Sequence, residues 1–147
     1  MNREIMMTLL HMAHAHRHMA GRLLEGGISR GQPPVLWYLK HHDGCIQRDI
    51  AENCHIKAAS VSSVLDNMEQ CGFISRQAQE NDRRVQRVYL TAEGKVKCEL
   101  VNGVFRQLEE RCLAGIGDRE LNAFHKTLEK IIANMREIGR EEELPDD

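Results

Sequence analysis

Apolar and semi-apolar side chains recur at Ile5, Leu9, Met12, His16, Met19 and Leu23. Steps alternating between four and three put them on one helical face, so the spacing predicts a helix over 3–25. Gly26–Gly27 should stop it, because glycine takes up the left-handed backbone of a helix end without steric cost. Pro33 suits a first helical turn, and Val35, Leu36, Leu39 and Lys40 carry a second helix toward Asp43–Gly44. Two short helical units come next. In QRDIAENC, Ile50, Ala51 and Cys54 face inward. After a brief turn at His55 and Ile56, KAASVSSVLDNMEQCG sets Val61, Val64, Leu65 and Met68 on one face. Ala59, Ser62, Ser63 and Asp66 lie opposite, Ser60 and Asn67 sit on the flank, and Gly72 is a natural stop.

Past Gly72 the period shortens from helical to alternating. FISRQAQ and RVYL are β-prone runs, and the polar segment ENDRR between them makes a hairpin with a charged tip. Thr91 caps a long helix over about 92–113, with Leu100, Val101, Val104, Phe105, Leu108 and Cys112 apolar. Asp118 caps a last helix whose stripe is Leu121, Phe124, Leu128, Ile131, Met135 and Ile138. The fold class is therefore mainly α (α+β): two short helices and a hairpin, with long amphipathic helices on either side.

Composition sharpens this picture in a few places. With three Phe, two Tyr and one Trp, the core must rest on Leu, Ile, Val and Met. The formal charge of −2 gives no whole-chain basic signal for nucleic acid. However, the segment REEELPDD at 140–147 concentrates acid in one place and reads as a flexible tail, leaving the remainder slightly basic. Five cysteines are scattered at no metal spacing, with no signal peptide or membrane run, which favours reduced thiols and a cytoplasmic chain without membrane association. No nucleophile–base pair, phosphate loop or closed metal set is visible. The chain is expected to be no enzyme and to need no metal or other cofactor.

Two short helices joined by a tight turn, followed by a hairpin with a basic tip, are the parts of a winged helix-turn-helix. The unit from about Ala58 has a small, hydroxyl-rich outer face that fits the major groove, where Ser can bond bases or phosphates. The hairpin gathers Arg83, Arg84 and Arg87, with Arg76 on the incoming strand. Arginine suits phosphates and the electronegative minor groove. The expected DNA contacts are Lys57, Ala59, Ser60, Ser62, Ser63, Asn67, Arg76, Arg83, Arg84 and Arg87, with Asp82 stiffening the wing and pairing with Arg84. The competing readings are a solvated serine face and ordinary surface arginines.

DRRVQRVYLTAEGK at 82–95 resembles the wing signature of the MarR family of regulators: Asp82 and Arg84, then Val88, Leu90 and Thr91, then Gly94 and Lys95 opening the next helix. IQRDIAENCHIKAASVSSVLDNMEQCGFISR is similar to that family's helix-turn-helix segment. The chain departs from the pattern at His55, where such turns often have Gly, and at Lys57, where a Ser or Asp cap is common. The resemblance implies an N-terminal dimerisation helix (1–29), a DNA-binding lobe (30–91), C-terminal dimerisation helices (92–139) and the tail (140–147). It implies a homodimer on a pseudo-palindromic duplex operator, and a repressor released by a small aromatic or phenolic effector. Such effectors occupy a crevice between the dimer helices and the DNA-binding lobe, and His14, His18, Arg22, Trp37, Tyr38 and His41 are the expected lining. The alternatives are a winged-helix protein-interaction module without DNA binding, and a zinc- or redox-responsive regulator of the same fold. For zinc the candidates are His14 and His18, four residues apart; the redox form uses a cysteine near the N-terminus, whereas the first here is Cys45.

Overall fold

A computed structural model describes residues 4–24 and 27–142. Among them the order is α1 (Ile5–Leu23), α2 (Gln32–Leu39), α3 (Gln47–Asn53), α4 (Ala58–Gln70), β1 (Ile74–Gln79), β2 (Asp82–Leu90), α5 (Ala92–Cys112) and α6 (Asp118–Glu142). This is the mainly α winged helix-turn-helix that the periodicity predicts. Gly26 of the expected first stop, and 143–147 of the expected tail, lie outside the described residues. Residues 140–142 are helical, so α6 runs past the boundary expected at 139.

The chain forms two compact units, Met1–Glu109 and Glu110–Asp147. In the first, one core gathers Ala20 and Leu24, Val35, Leu36 and Leu39, Ile50, Val61, Leu65 and Met68, Ile74 and Val88, and Cys98, Val101, Val104 and Leu108. The lobe at 30–91 thus shares its core with the end of α1 and most of α5. Leu36, Leu39, Ile50 and Leu65 are fully buried, and each such side chain contributes about 2 kcal/mol. On α1 the buried positions are Ala20 and Leu24, while Ile5, Met12, Met19 and Leu23 of the expected stripe are exposed in the single chain.

The helices α3 and α4 end by the same device. The Ile56 N–H reaches back to the Ala51 carbonyl (2.9 Å), and the Phe73 N–H to that of Met68 (2.9 Å). This six-to-one bond needs a left-handed residue just before the donor. Gly72 supplies it after α4 (φ +78°), and His55 supplies it after α3 (φ +54°). A side chain with a Cβ pays about 1–2 kcal/mol there, partly offset by the greater unfolded-state freedom of glycine. His55→Gly should therefore raise the melting temperature by a few degrees; a lower melting temperature would contradict this account of the turn.

The wing is anchored at its base. Gly44 N–H donates to the Val88 carbonyl (2.8 Å), Val88 N–H to that of Cys45 (2.9 Å), and Leu90 N–H to Asp43 Oδ1 (2.7 Å). The loop before α3 thus joins β2 through an isolated bridge between Ile46 and Arg87, which no alternation in the sequence announces. At the other end, Thr91 caps α5. Its hydroxyl accepts from the Gly94 N–H (3.0 Å) and donates to the Gly72 carbonyl (2.5 Å), tying the end of α4 to the start of α5.

In the second unit α6 carries its apolar residues on one side. Phe124, Met135 and Ile138 are exposed, and Leu121, Leu128 and Ile131 are half-buried.

Candidate nucleic-acid interface

The helix α4 buries Val61, Leu65 and Met68 and leaves Ala59, Ser60, Ser63 and Asn67 exposed. Ser60, Ser63 and Asn67 share one line at steps of three and four. Lys57 occupies the N-cap position with no side-chain cap, so the helix dipole and the first amides of α4 are unopposed by a local carboxylate or hydroxyl. Ser62 is half-buried and accepts a hydrogen bond from Gln47 Nε2 (2.8 Å), bracing α3 against α4. It belongs to the frame of the helix-turn-helix.

The four arginines divide into two pairs. Arg76 is half-buried between two carboxylates of α4: Nε donates to Glu69 Oε2 (2.8 Å), and Nη2 bonds Asp66 Oδ1. Arg87 Nη1 donates to the Gly44 carbonyl (2.9 Å). Both guanidinium groups hold β1 and β2 to the helical body. Arg83 and Arg84 stand free of the body. The register explains why: Ala78 pairs with Gln86 and Gln79 with Asp82, so residues 83–85 bulge from β2. A bulge re-aims the side chains that it carries. Asp82 Oδ1 accepts the Arg84 N–H (3.0 Å) and stands 3.5 Å from Arg84 Nε, while the Arg84 side chain is 96% exposed. The expected tip, ENDRR, narrows to a turn at Glu80–Asn81, and Asp82 to Arg84 already belong to the strand.

The six residues expected to line an effector crevice are not brought to one cavity. Trp37, 48% exposed, borders a groove of about 310 Å³ with Lys40, Glu99, Asn102, Gly103, Arg106 and Glu109. Tyr38 turns the other way and stacks on His42 (centroids 4.2 Å apart, planes 7° apart). His14, His18 and Arg22 are exposed on α1 and His41 lies in the turn after α2; none of them lines that groove. Successive residues of a helix diverge by about 100°, and in the single chain Trp37 and Tyr38 point to different sides. Asn102 and Arg106, four apart on α5, are the polar lining that the sequence reading missed. The signal was there: an amide and a cation on one helical face.

Among the described residues no group of three or more His, Cys, Asp and Glu is placed to hold a metal ion. Burial pushes the Cys45, Cys54 and Cys98 thiols each up to about 11. They stay protonated at neutral pH, and the thiolate is the reactive form. No described helix is long and apolar enough to cross a membrane.

Comparison with known proteins places these features in a family. The family model described as the MarR family matches residues 28–85, from the α1–α2 linker into the wing. An HTH-type transcriptional repressor, MdtR of Bacillus subtilis (strain 168), is 34% identical over 102 residues, covering 69% of this chain and 66% of the relative. An HTH-type transcriptional regulator, BilQ of Clostridium symbiosum (strain WAL-14163), is 26% identical over 109 residues, covering 74% of this chain and 76% of the relative. The crystal structure of a MarR transcriptional regulator from Methanosarcina mazei Go1 superposes with a TM-score of 0.84 at 25% identity, covering 93% of this chain and 99% of that one.

Proposed function

This chain belongs to the MarR family and is a winged-helix transcriptional regulator; from that premise we propose a cytoplasmic, sequence-specific repressor that grips a pseudo-palindromic duplex as a homodimer and lets go when a small aromatic acid binds. The observation that carries the DNA contact is the division of labour among the polar residues. The exposed face of α4 (Ala59, Ser60, Ser63, Asn67) enters the major groove. Lys57 and the free amides at its start meet a phosphate, and Arg83 and Arg84, which have no packing role, reach the backbone or the minor groove. Ser62, Arg76, Arg87 and Asp82 hold the frame.

Arg84→Ala should weaken binding to all duplexes alike and lower the slope of log affinity against log salt by about one for each phosphate that the guanidinium no longer neutralises. Unchanged affinity and slope in that variant would remove the wing from the interface.

Dimerisation is supported by the apolar residues that α1 and α6 leave exposed in the single chain, among them Ile5, Leu10 and Met12, and Phe124, Met135 and Ile138. A two-fold pair of chains covers such faces and sets two recognition helices about one DNA turn apart. The effector reading moves to the Trp37 groove. An aromatic ring stacks on Trp37, its carboxylate meets Arg106, and Asn102 orients it. Trp37 is the single tryptophan. Its fluorescence should therefore change on titration with salicylate-like compounds while bound duplex is released. If neither signal moved with compounds of this class, the effector reading would be wrong.

A further inference from the structure

One residue of the exposed line on α4 has its hydrogen-bonding polarity set from beneath. Gln32 is 1% exposed, the one buried polar side chain among the described residues. The Ser29 backbone N–H donates to Gln32 Oε1 (3.0 Å). A backbone N–H can only donate, which fixes the oxygen end of the Gln32 amide and leaves Nε2 at the other. Nε2 in turn donates to Asn67 Oδ1 (2.5 Å). It has no lone pair to offer, so Asn67 must turn its oxygen inward. The Asn67 carboxamide is planar, and its Nδ2 has no partner in the protein among the described residues, on a residue that is itself exposed. The grip extends along α4: a Cβ on Gly31 would lie 3.4 Å from Val64 Cγ2, so the segment before α2 also rests on α4 three residues before Asn67.

We propose that Gln32 is a positioning residue for base recognition: it makes Asn67 a donor-only contact, which selects an acceptor edge (guanine O6 and N7, or thymine O4) over adenine, whose acceptor N7 has the donating N6 amine beside it. Reading adenine takes the oxygen and the nitrogen of one amide together, and here the oxygen is engaged below. The sequence pattern favours no base, since an asparagine on a recognition helix is as ready to read adenine. The inference rests on the DNA-binding reading above.

The test is selection of bound duplexes from a random pool by the full chain. The wild type should prefer guanine or thymine at one position of each half-site, and Asn67→Ala should lose that preference by on the order of tenfold. Gln32→Met keeps the volume but releases the amide to turn over, so discrimination against adenine at the same position should fall by a similar factor. Gln32→Glu faces Asn67 with an acceptor. The amide should then present its oxygen outward and shift the preference toward cytosine or adenine, whose exocyclic amines donate. Three results overturn the proposal while the DNA-binding reading stands: a wild-type preference for adenine that Asn67→Ala removes, an Asn67→Ala variant indistinguishable from wild type, or a loss in Asn67→Ala that is uniform over all sequences. A folded Gln32→Met protein with the wild-type preference overturns it too. Failure of the wild type to select any duplex would instead remove the DNA-binding reading and this proposal with it.

Discussion

Gly94→Ala should cost more stability than a methyl group added at any other described glycine of this chain. A Cβ built on Gly94 would lie 1.9 Å from the Phe73 carbonyl oxygen and 2.9 Å from its carbon. Both are backbone atoms, and the same carbonyl already accepts the Thr91 N–H (3.0 Å). No rotamer change can open the gap, so either α5 must slide or the strand leading into the wing must move. Overpacking that a core can absorb costs about 1–3 kcal/mol; here the expected loss is at least about 3 kcal/mol, or a melting temperature lower by ten degrees or more. The distortion falls on the Thr91 cap that ties the end of α4 to α5, so duplex affinity should drop with stability. Gly103→Ala is the matched control. Nothing lies within 4 Å of its added Cβ, and in a helix interior alanine is favoured by about 1 kcal/mol. Thermal unfolding of the two variants side by side checks the account, and a Gly94→Ala protein within two degrees or so of wild type would contradict the packing described.

The second large effect is expected in α6. Leu128 and Ile131 sit at the middle of its stripe, half-buried in the single chain, with Phe124 and Met135 exposed on either side. Isolated apolar side chains on a surface need no explanation, but a continuous stripe along a helix of this length marks a surface that is covered in the working state. Changing both Leu128 and Ile131 to Asp places two carboxylates in that surface, where burying each without a partner costs several kcal/mol. The expected product is monomeric or unfolded protein with no measurable duplex affinity. Sedimentation or light scattering reads the mass, and a folded monomer that still binds duplex DNA would sink the dimer.

Much of the fold was legible in the sequence, and the parts that were not share a cause. Helical stripes on α4 and α6, the alternation in the hairpin, and the run from Thr91 to Gly94 are local patterns, and local patterns survive in a single chain. Arg76 and Arg87 illustrate the other kind. As sequence they are two more basic residues near a basic wing tip, yet Asp66, Glu69 and the Gly44 carbonyl claim them. The acids at Asp66 and Glu69, one turn apart on the side of α4 that meets Arg76 of β1, were the available warning. Gln32 gave none: next to Pro33 it reads as the polar start of a helix, and only the packing of Gly31 and Gln32 on α4 buries it. The side of α1 that meets the core of the single chain was not legible for a related reason. Ile5, Met6, Met7, Leu10 and Met12 make more than one side of that helix apolar, so periodicity alone could not say which side meets the core. Of the residues expected to line the crevice, Trp37 and Tyr38 are neighbours on a helix and point to different sides in the single chain, which no spacing in the sequence announces.

The claim on which everything rests is that this chain holds duplex DNA through phosphate contacts made by α4 and the wing. Its most direct test is the salt dependence of wild-type affinity for a duplex recovered by selection. Two wings each bringing Arg83 and Arg84, with Lys57 at the start of each α4, should neutralise at least about four phosphates. The log–log slope is then about −4 or steeper. A flat dependence, or no binding even at low salt, would contradict the claim and leave a winged-helix surface that serves a protein partner.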